Sequence, residues 1–357
     1  TEIYTALNTL SLHDALPILC AAAVLALWGV WGYDLWAPDE PYFGEGARAE
    51  PTRLAHLGVG QQPEEPEPDD HAEVEQAGGD LRQAEAVGVV DGDRIGVGVF
   101  IDSCRKCASC LAGLQQYCEE GMTGTYNTME RDGKTVALGG YSNLFVINED
   151  YAVHIPDNLP LDGVAPLLCA GITLYSPIKH WKVQPGMKVA VIGLGGLGHM
   201  GVKFAVAMGA EVTVLSHSPA KQADALAMGA HHFVSTKDPE NLKALEKKFD
   251  LILNTVSAEL EIGDYLNLLT LDGTLVVIGL PGKPYAVHAG ALLNGRRRIA
   301  GSMIGGVPEL QEMLDFCGKH QIVSDVEVIK SDYINQAYIR TVASDVKYRF
   351  VIDASTF

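Results

Sequence analysis

The chain has 357 residues, enough for two domains, and its apolar content of 47% is that of a globular protein rather than a disordered or polytopic membrane protein. The formal net charge is −19 and is unevenly distributed, since residues 1–93 hold 18 of the 45 Asp and Glu but 3 of the 26 Lys and Arg. This acidic balance argues against nucleic acid as a partner, because duplex binding needs a basic surface, and the asymmetry indicates that the first quarter and the remainder are different kinds of sequence.

Residues 15–33 form an uncharged, mostly apolar run between Asp14 and Asp34. Roughly 20 apolar residues make a membrane-spanning helix, and a buried core helix is the alternative. The residues that follow, LWAPDEPYFGEGARAE, resemble the first luminal loop of lipid-linked-sugar glycosyltransferases, in which an Asp-Glu-Pro motif, here Asp39 and Glu40, serves the transfer. A membrane glycosyltransferase fragment is therefore one alternative function, although no second span follows.

Residues 51–90 contain no Lys, no aromatic residue and few large aliphatic residues. Low hydrophobicity with high charge does not offset the conformational entropy of ordering a chain. The sequence therefore predicts that this segment is disordered, or that it is translated in a wrong frame. Residues 1–90 as a whole are interpreted as foreign to the rest of the chain.

Four of the seven cysteines lie close together after a strand-like run, GDRIGVGVFIDSC. Their Cys-x2-Cys-x2-Cys-x7-Cys spacing favours a closed, tetrahedral zinc site that stabilises the fold and leaves no position for substrate. An iron–sulfur cluster and unliganded thiols are the alternatives. Clustered thiols of this kind also indicate a reducing compartment, here the cytoplasm. The predicted ligands are Cys104, Cys107, Cys110 and Cys118.

A short apolar strand, MKVAVIG, leads into a Gly-x-Gly-x-x-Gly motif and then a helical pattern, followed by a second strand, EVTVLS. This order is typical of a dinucleotide-binding βαβ unit, in which the phosphates lie at the helix N-terminus. A glycine turn without nucleotide is the alternative. The predicted phosphate-binding residues are Gly193, Leu194, Gly195, Gly196, Leu197 and Gly198.

The end of the second strand distinguishes NAD from NADP. An Asp or Glu there hydrogen-bonds the ribose 2′-hydroxyl of NAD, whereas this chain has Ser216, His217, Ser218 and, shortly after, Lys221. Hydroxyls and a cation without an acid favour the 2′-phosphate of NADP. An exposed polar loop without a ligand is the alternative.

Three more strand-like runs follow, FDLILNTVS, GTLVVIGLPG and RRIAGSMIGG. With the first two strands they predict an α/β fold with a doubly wound parallel sheet. Thr255, Gly279 and Ser302 fall at the carboxyl ends of these strands, where ligands bind, and are further candidate cofactor contacts. A helix and two strand-like runs, ending in SDVKYRFVID, complete the chain.

The cysteine loop, ALGGYSNLFVINEDYAVHIPDNL, APLLCAGITLYSP, GLGGLGHMGVKFA, GSMIGGVPELQEMLDFC and SDVKYRFVID together resemble the zinc-dependent medium-chain alcohol dehydrogenases, in particular the NADP-linked, cinnamyl-alcohol-dehydrogenase-like branch. The resemblance covers residues 91–357. It implies a Rossmann domain, a GroES-like catalytic domain and a homodimer through the Rossmann edge strands. It also implies hydride transfer between NADP(H) and a primary alcohol or aldehyde.

The resemblance further implies a catalytic zinc that polarises the substrate oxygen. Cys169, in LLCAG, matches one of its ligands, and Thr173 matches a position that packs on the nicotinamide. The other two ligands belong to Cys-His-(Ser/Thr)-Asp and Gly-His-Glu motifs, and this sequence contains neither. His71 is near the spacing of the missing histidine but lacks its neighbours, and is interpreted as a solvated residue.

The sequence thus predicts an NADP-dependent zinc alcohol dehydrogenase that is impaired because catalytic zinc ligands are missing. An inactive NADP- and zinc-binding remnant and a zinc-independent quinone or enoyl reductase are the alternatives. No membrane association is expected for residues 91–357. The predicted segments are a non-family segment (1–90), an incomplete GroES-like β domain with the zinc loop (91–160), a Rossmann domain (161–305) and a C-terminal return to the catalytic domain (306–357).

Overall fold

The computed structural model describes residues 89–90, 92–142 and 144–357. The predicted apolar helix at 15–33 lies outside the described residues, as do Asp39, Glu40 and His71. So does the segment predicted to be disordered, apart from its last two residues.

The described residues contain short strands near their start and a run of longer strands in the middle. In chain order the strands are β1 (Ile95–Val97), β2 (Phe100–Asp102), β3 (Thr123–Gly124), β4 (Thr128–Met129), β5 (Val136–Ala137), β6 (Ala152–His154), β7 (Lys188–Ile192), β8 (Glu211–Ser216), β9 (His232–Ser235), β10 (Phe249–Asn254), β11 (Leu269–Val277), β12 (Arg298–Gly301), β13 (Val326–Ile329) and β14 (Arg349–Ile352).

The helices alternate with the longer strands. They are α1 (Ala108–Leu111), α2 (Leu161–Val164), α3 (Ala170–His180), α4 (Gly198–Ala207), α5 (Gln222–Ala227), α6 (Pro239–Lys243), α7 (Ile262–Asn267), α8 (Ala289–Leu293), α9 (Val307–His320) and α10 (Ile334–Val342).

Six strands form one sheet in the order β12-β11-β10-β7-β8-β9, and every neighbouring pair is parallel. From β7 the chain builds outward through β8 to β9, then returns to the other side of β7 with β10, β11 and β12. The order reverses between β7 and β10, which is where doubly wound sheets bind ligands, outside the carboxyl ends of the strands. The predicted α/β fold with a doubly wound parallel sheet is confirmed.

The central strand β7 shows why the sheet is covered on both faces. Val189 and Val191 belong to the core cluster that contains Phe204 of α4, whereas Ala190 and Ile192 belong to the cluster that contains Leu266 of α7. Successive strand residues point to opposite faces, so a continuous apolar run places buried side chains on both faces of the sheet. The sequence KVAVI therefore suits a strand with helices on either side.

The remaining strands form two-stranded pairs. β1 pairs with β6, β2 with β3 and β4 with β5, all antiparallel, while β13 and β14 are parallel. The single strand-like run predicted at GDRIGVGVFIDSC is divided into β1 and β2. Between β1 and β2, Gly98 O accepts from Thr125 Oγ1 (2.7 Å) and Val99 O accepts from Thr125 N (3.0 Å), and the two strands pair with different partners.

No single helix in the described part of the chain is long and apolar enough to cross a membrane. One pair, Leu161–Leu168 and Ala170–His180, bent by 58°, reaches the required length and composition.

Candidate functional site

The four clustered cysteines converge on one point. Cys107 is the N-cap of α1, Cys110 lies on that helix, and Cys104 and Cys118 flank it in the chain. Their Sγ atoms all lie within 4.8 Å of one another, and the Cys104 and Cys110 Sγ atoms are 3.8 Å apart. Four sulfurs at about 2.3 Å from a tetrahedral zinc are about 3.8 Å from one another. The donor set therefore fits a zinc ion.

Backbone N–H groups surround these sulfurs. Cys104 N donates to Cys118 Sγ (3.3 Å) and Cys107 N donates to Cys104 Sγ (3.3 Å). Backbone donors at Glu119 and Cys110 lower the pKa of Cys107 to about 6, whereas burial raises the pKa of Cys110 to about 12. A bound divalent cation favours the deprotonated state of all four ligands, Cys110 included.

The cysteine lobe also contacts the start of α9. Gly306, the N-cap of α9, offers no side chain to the first turn, and Gln115 Oε1 accepts from Val307 N (3.1 Å) instead. Tyr117 Oη accepts from Met303 N (3.1 Å) just before the helix. The lobe that carries the metal ligands thus caps a helix that lies about 190 residues further along the chain.

The glycine motif forms a tight turn between β7 and α4. Gly193 has φ +89°, which favours glycine, and a Cβ on Gly198 would lie 2.1 Å from Gly193 O. A Cβ on Gly195 would meet nothing within 4 Å. The outer glycines therefore permit the turn and its packing, and the middle one leaves open space. These are the properties that a pyrophosphate-binding loop requires.

Three consecutive carbonyl groups of this loop each accept a hydrogen bond from a side chain. The bonds run from Lys221 Nζ to Leu194 O (2.7 Å), from His199 Nδ1 to Gly195 O (3.0 Å) and from Arg349 Nε to Gly196 O (3.2 Å).

In a planar trans peptide the N–H of the next residue points away from the preceding carbonyl oxygen. Holding these three carbonyls therefore directs the N–H groups of Gly195, Gly196 and Leu197 to the other side, where anions bind at a helix N-terminus. The sequence analysis missed His199 and Arg349. His199 lies four residues after Gly195 on a helix, a spacing that places its ring near the Gly195 carbonyl, whereas Arg349 lies 153 residues from its partner and had no local signal.

The residues predicted to select the cofactor lie at the end of β8. Ser216 is buried and its Oγ accepts from Ser218 N (3.3 Å), while His217 is exposed. Burial lowers the pKa of Lys221, and Asp224 opposes this. Lys221 is thus bound to the glycine loop, a contact that the sequence analysis did not foresee.

Thr255, Gly279 and Ser302 follow the carboxyl ends of β10, β11 and β12, at the edge of the sheet that carries the glycine loop. Thr255 Oγ1 donates to Ile192 O (2.7 Å), and a Cβ on Gly279 would lie 2.2 Å from Val256 O. These two residues hold the ends of neighbouring strands together. Ser302 is half-buried, and its N donates to Val277 O (3.2 Å).

Cys169 lies at the start of α3 in a cavity of about 240 Å³. Arg349, Tyr126 and Tyr141 also line this cavity. Burial raises the pKa of the Cys169 thiol, and the Arg349 guanidinium acts in the opposite direction. Thr173, one turn later, is buried, and its Oγ1 donates to Cys169 O (2.7 Å).

A second zinc site is not complete within the described residues. There, the one group of three or more His, Cys, Asp or Glu side chains that could hold a metal is the Cys104 to Cys118 cluster, and Cys169 belongs to no such group. The described residues therefore offer one thiolate and do not fit a catalytic zinc.

Two family models match the chain. The alcohol dehydrogenase GroES-like domain matches residues 66–157, and the zinc-binding dehydrogenase model matches residues 196–319. The first match begins at residue 66, ahead of residue 91, where the sequence analysis places the start of the family segment.

Curated relatives are similar over three-quarters of the chain. NADP-dependent alcohol dehydrogenase C 1 of Mycolicibacterium smegmatis is 60% identical over 266 residues, which are 74% of this chain and 76% of that protein. Aldehyde reductase YahK of Escherichia coli is 51% identical over 268 residues, with the same two shares.

Solved structures of dehydrogenases are similar to the same share of the chain. A cinnamyl alcohol dehydrogenase from Sorghum bicolor has a TM-score of 0.72 and 45% identity and covers 74% of this chain and 75% of its own. The Helicobacter pylori CAD complexed with NADP(H) has a TM-score of 0.68 and 43% identity, with 74% and 76% covered. These matches confirm the predicted family resemblance.

Proposed function

The chain belongs to the zinc-binding alcohol dehydrogenase family, and from that premise we propose that it transfers hydride between NADP(H) and a primary alcohol or aldehyde. The observation that carries the proposal is the glycine loop, whose carbonyls are held by three side chains, next to a β8 end that has hydroxyls and Lys221 but no carboxylate. Two relatives, 60% and 51% identical to this chain, are an NADP-dependent alcohol dehydrogenase and an aldehyde reductase.

The chain's own residues bind and orient the cofactor. The N–H groups of Gly195 to Leu197 receive the pyrophosphate, and Arg349, beside the loop and Cys169, adds positive charge. Ser216, Ser218 and Lys221 receive the 2′-phosphate, while Thr255, Gly279 and Ser302 border the cleft. When bound, NADP(H) supplies or accepts the hydride.

Helix α3 begins at the cavity that Cys169 lines. Cys169 and Thr173 lie one turn apart at its start, and Thr173 matches the family position that would pack on the nicotinamide. The cavity around Cys169 is lined by Tyr126, Tyr141 and other apolar groups, which suits the organic part of an alcohol or aldehyde.

We assign the Cys104 to Cys118 cluster to a structural zinc, which fixes the lobe without touching substrate. Among the described residues, Cys169 is the one that matches a family ligand of the catalytic zinc. The missing Cys-His-(Ser/Thr)-Asp and Gly-His-Glu motifs favour weak turnover, and they support an inactive NADP- and zinc-binding protein as the second candidate function.

Zinc content and turnover together separate the two candidates. We expect about one zinc per chain by elemental analysis of purified, NADP-bound protein, because four thiolates form one closed site. Cys169→Ser should leave that value unchanged, whereas Cys110→Ser should abolish it. NADPH-dependent reduction of aldehydes should be weak.

Two zinc ions per chain, falling to one in Cys169→Ser, together with chelator-sensitive aldehyde reduction, would establish the full enzyme. One zinc with tight NADP binding and no turnover would establish the second candidate.

We further propose a homodimer and a cytoplasmic location. β12 is an edge strand of the six-stranded sheet, and pairing it with the β12 of a second chain would continue the sheet and cover two exposed edges. A cluster of four metal-binding thiols favours a reducing compartment.

A further inference from the structure

His199 lies directly beneath the glycine loop and is fully buried. Its Nδ1 is 3.0 Å from Gly195 O, which also accepts from the backbone N of His199 (3.1 Å), and its Nε2 is 2.9 Å from Ser324 Oγ. A carbonyl oxygen is an acceptor only, so Nδ1 carries the proton and Nε2 accepts from the Ser324 hydroxyl. Each ring nitrogen thus has a partner: the Gly195 carbonyl fixes the tautomer, and the bond to Ser324 fixes the orientation of the ring.

The ring is neutral. Burial lowers the pKa of His199 to about 3, and the nearby cations Lys203 and Arg349 act in the same direction. A neutral imidazole has one donor and one acceptor, which is what the two contacts require. A charged ring would carry a proton on Nε2 as well, and the Ser324 hydroxyl would then have to accept there instead of donating.

Ser324 belongs to the segment between α9 and β13, and that segment is itself fixed. Ser324 N donates to Gly163 O (2.9 Å), and Lys203 Nζ donates to Val323 O (2.8 Å) and pairs with Asp325 (3.0 Å). The hydroxyl that orients His199 is therefore anchored independently of the glycine loop.

The ring also stacks on a second anchored group. The rings of His199 and Tyr348 have centroids 5.0 Å apart and planes 17° from parallel. Tyr348 directly precedes Arg349, which holds the next loop carbonyl, Gly196 O. The imidazole is thus fixed in its plane by Ser324 and across its face by Tyr348.

We propose that His199, oriented by Ser324, is a positioning residue for the pyrophosphate of the cofactor. With the backbone N–H of the same residue, the ring holds the Gly195 carbonyl and so directs the Gly196 N–H, which points to the opposite side of the same peptide plane. This inference rests on the proposed binding of NADP. His199 touches no substrate, yet it contributes to the affinity of the loop for phosphate.

The test compares two ligands on the full chain. Titration calorimetry would measure Kd for NADP, which contains the pyrophosphate, and for adenosine 2′-monophosphate, which lacks it. In Ser324→Ala we expect Kd for NADP to rise about fivefold, the effect of one lost hydrogen bond of about 1 kcal/mol. Kd for adenosine 2′-monophosphate should stay the same, because that ligand does not use the glycine loop.

Thr341→Val is the matched control, because it removes a hydroxyl that donates to Ala337 O within α10 (2.8 Å). Both Kd values should then equal those of the wild type. His199→Phe retains a ring against Tyr348 and loses both hydrogen bonds, so its NADP Kd should rise further than that of Ser324→Ala. His199→Phe removes two buried hydrogen bonds and is therefore the more sensitive to misfolding. The test of the positioning role is the NADP Kd of Ser324→Ala.

An unchanged NADP Kd in Ser324→Ala, or an equal loss for both ligands, would overturn the positioning role. A wild-type chain that binds adenosine 2′-monophosphate and NADP equally well would overturn it too, since the loop would then contribute nothing. A wild-type chain that binds neither ligand would overturn the proposed function together with it.

Discussion

A buried imidazole makes folding sensitive to acid in a defined direction. His199 has an ordinary pKa of 6.5 in the unfolded chain and about 3 in the folded one. Between those values the unfolded chain holds a proton at this residue that the folded chain does not. The free energy of unfolding therefore rises with pH from about 3 to 6.5, and the contribution of His199 is constant above and below that window.

We predict that, because of His199, the free energy of unfolding falls by about 2 kcal/mol from pH 7 to pH 5, since one pKa unit corresponds to 1.36 kcal/mol. Urea denaturation at pH 7, 6 and 5 measures it. His199→Phe is less stable at pH 7, because the Ser324 hydroxyl loses its acceptor, but its stability should decline less toward pH 5. Parallel pH curves for the variant and the wild type would contradict the prediction.

The glycine loop, as an element, uses the same amino acid for two purposes. A Cβ on Gly198 would lie 2.1 Å from a backbone oxygen that cannot move aside, whereas a Cβ on Gly195 would enter open space. One glycine permits the strand, turn and helix to meet, and the other leaves room for a ligand.

Two alanine substitutions should therefore separate stability from binding. Gly198→Ala should lower the free energy of unfolding by about 3 kcal/mol, because the added methyl group overpacks a closed turn. Gly195→Ala should change it by less than about 0.5 kcal/mol yet weaken NADP binding at least tenfold. Denaturation and calorimetry on both variants provide the check, and tight NADP binding by Gly195→Ala would show that the phosphate lies elsewhere.

The elements with local patterns could be predicted from the sequence. The cysteine spacing, the glycine motif and the apolar runs of the sheet each have their pattern within a few residues, and these strands form as expected. The partners of the loop carbonyls could not be predicted, because Arg349 lies 153 residues from Gly196 and Ser324 lies 125 residues from His199. The division of β1 from β2 was missed for a similar reason, since the residues between the strands bond to Thr125, 27 residues after Gly98, and the strands pair with different partners.

At the scale of the whole molecule, the metal lobe contacts the nucleotide-binding half at a helix end. Gln115, between the third and fourth cysteines, caps Val307 at the start of α9, and the buried face of α9 belongs to the core cluster that includes β7 and α4. A side-chain cap of this type contributes about 1 kcal/mol. Removal of the metal should therefore affect α9 as well as the lobe.

We predict that chelation of zinc lowers Tm by about 4–8 °C, taking the loss of the cap and of the ordered lobe as about 2 kcal/mol in total. Hydrogen exchange of the Val307 amide should become faster. Gln115→Ala is the control, because it should accelerate the same exchange while the zinc content stays at the wild-type value. Unchanged exchange at Val307 after metal removal would mean that the lobe keeps its form without the ion.

The three side chains that hold the glycine loop also set an order for biosynthesis. Lys221 and His199 lie close to the loop along the chain, but Arg349 is made only after 153 further residues. A ribosome that has just released α4 exposes a loop whose Gly196 carbonyl still lacks its partner. The complete set of three side chains around the loop is therefore present only on a chain translated as far as Arg349.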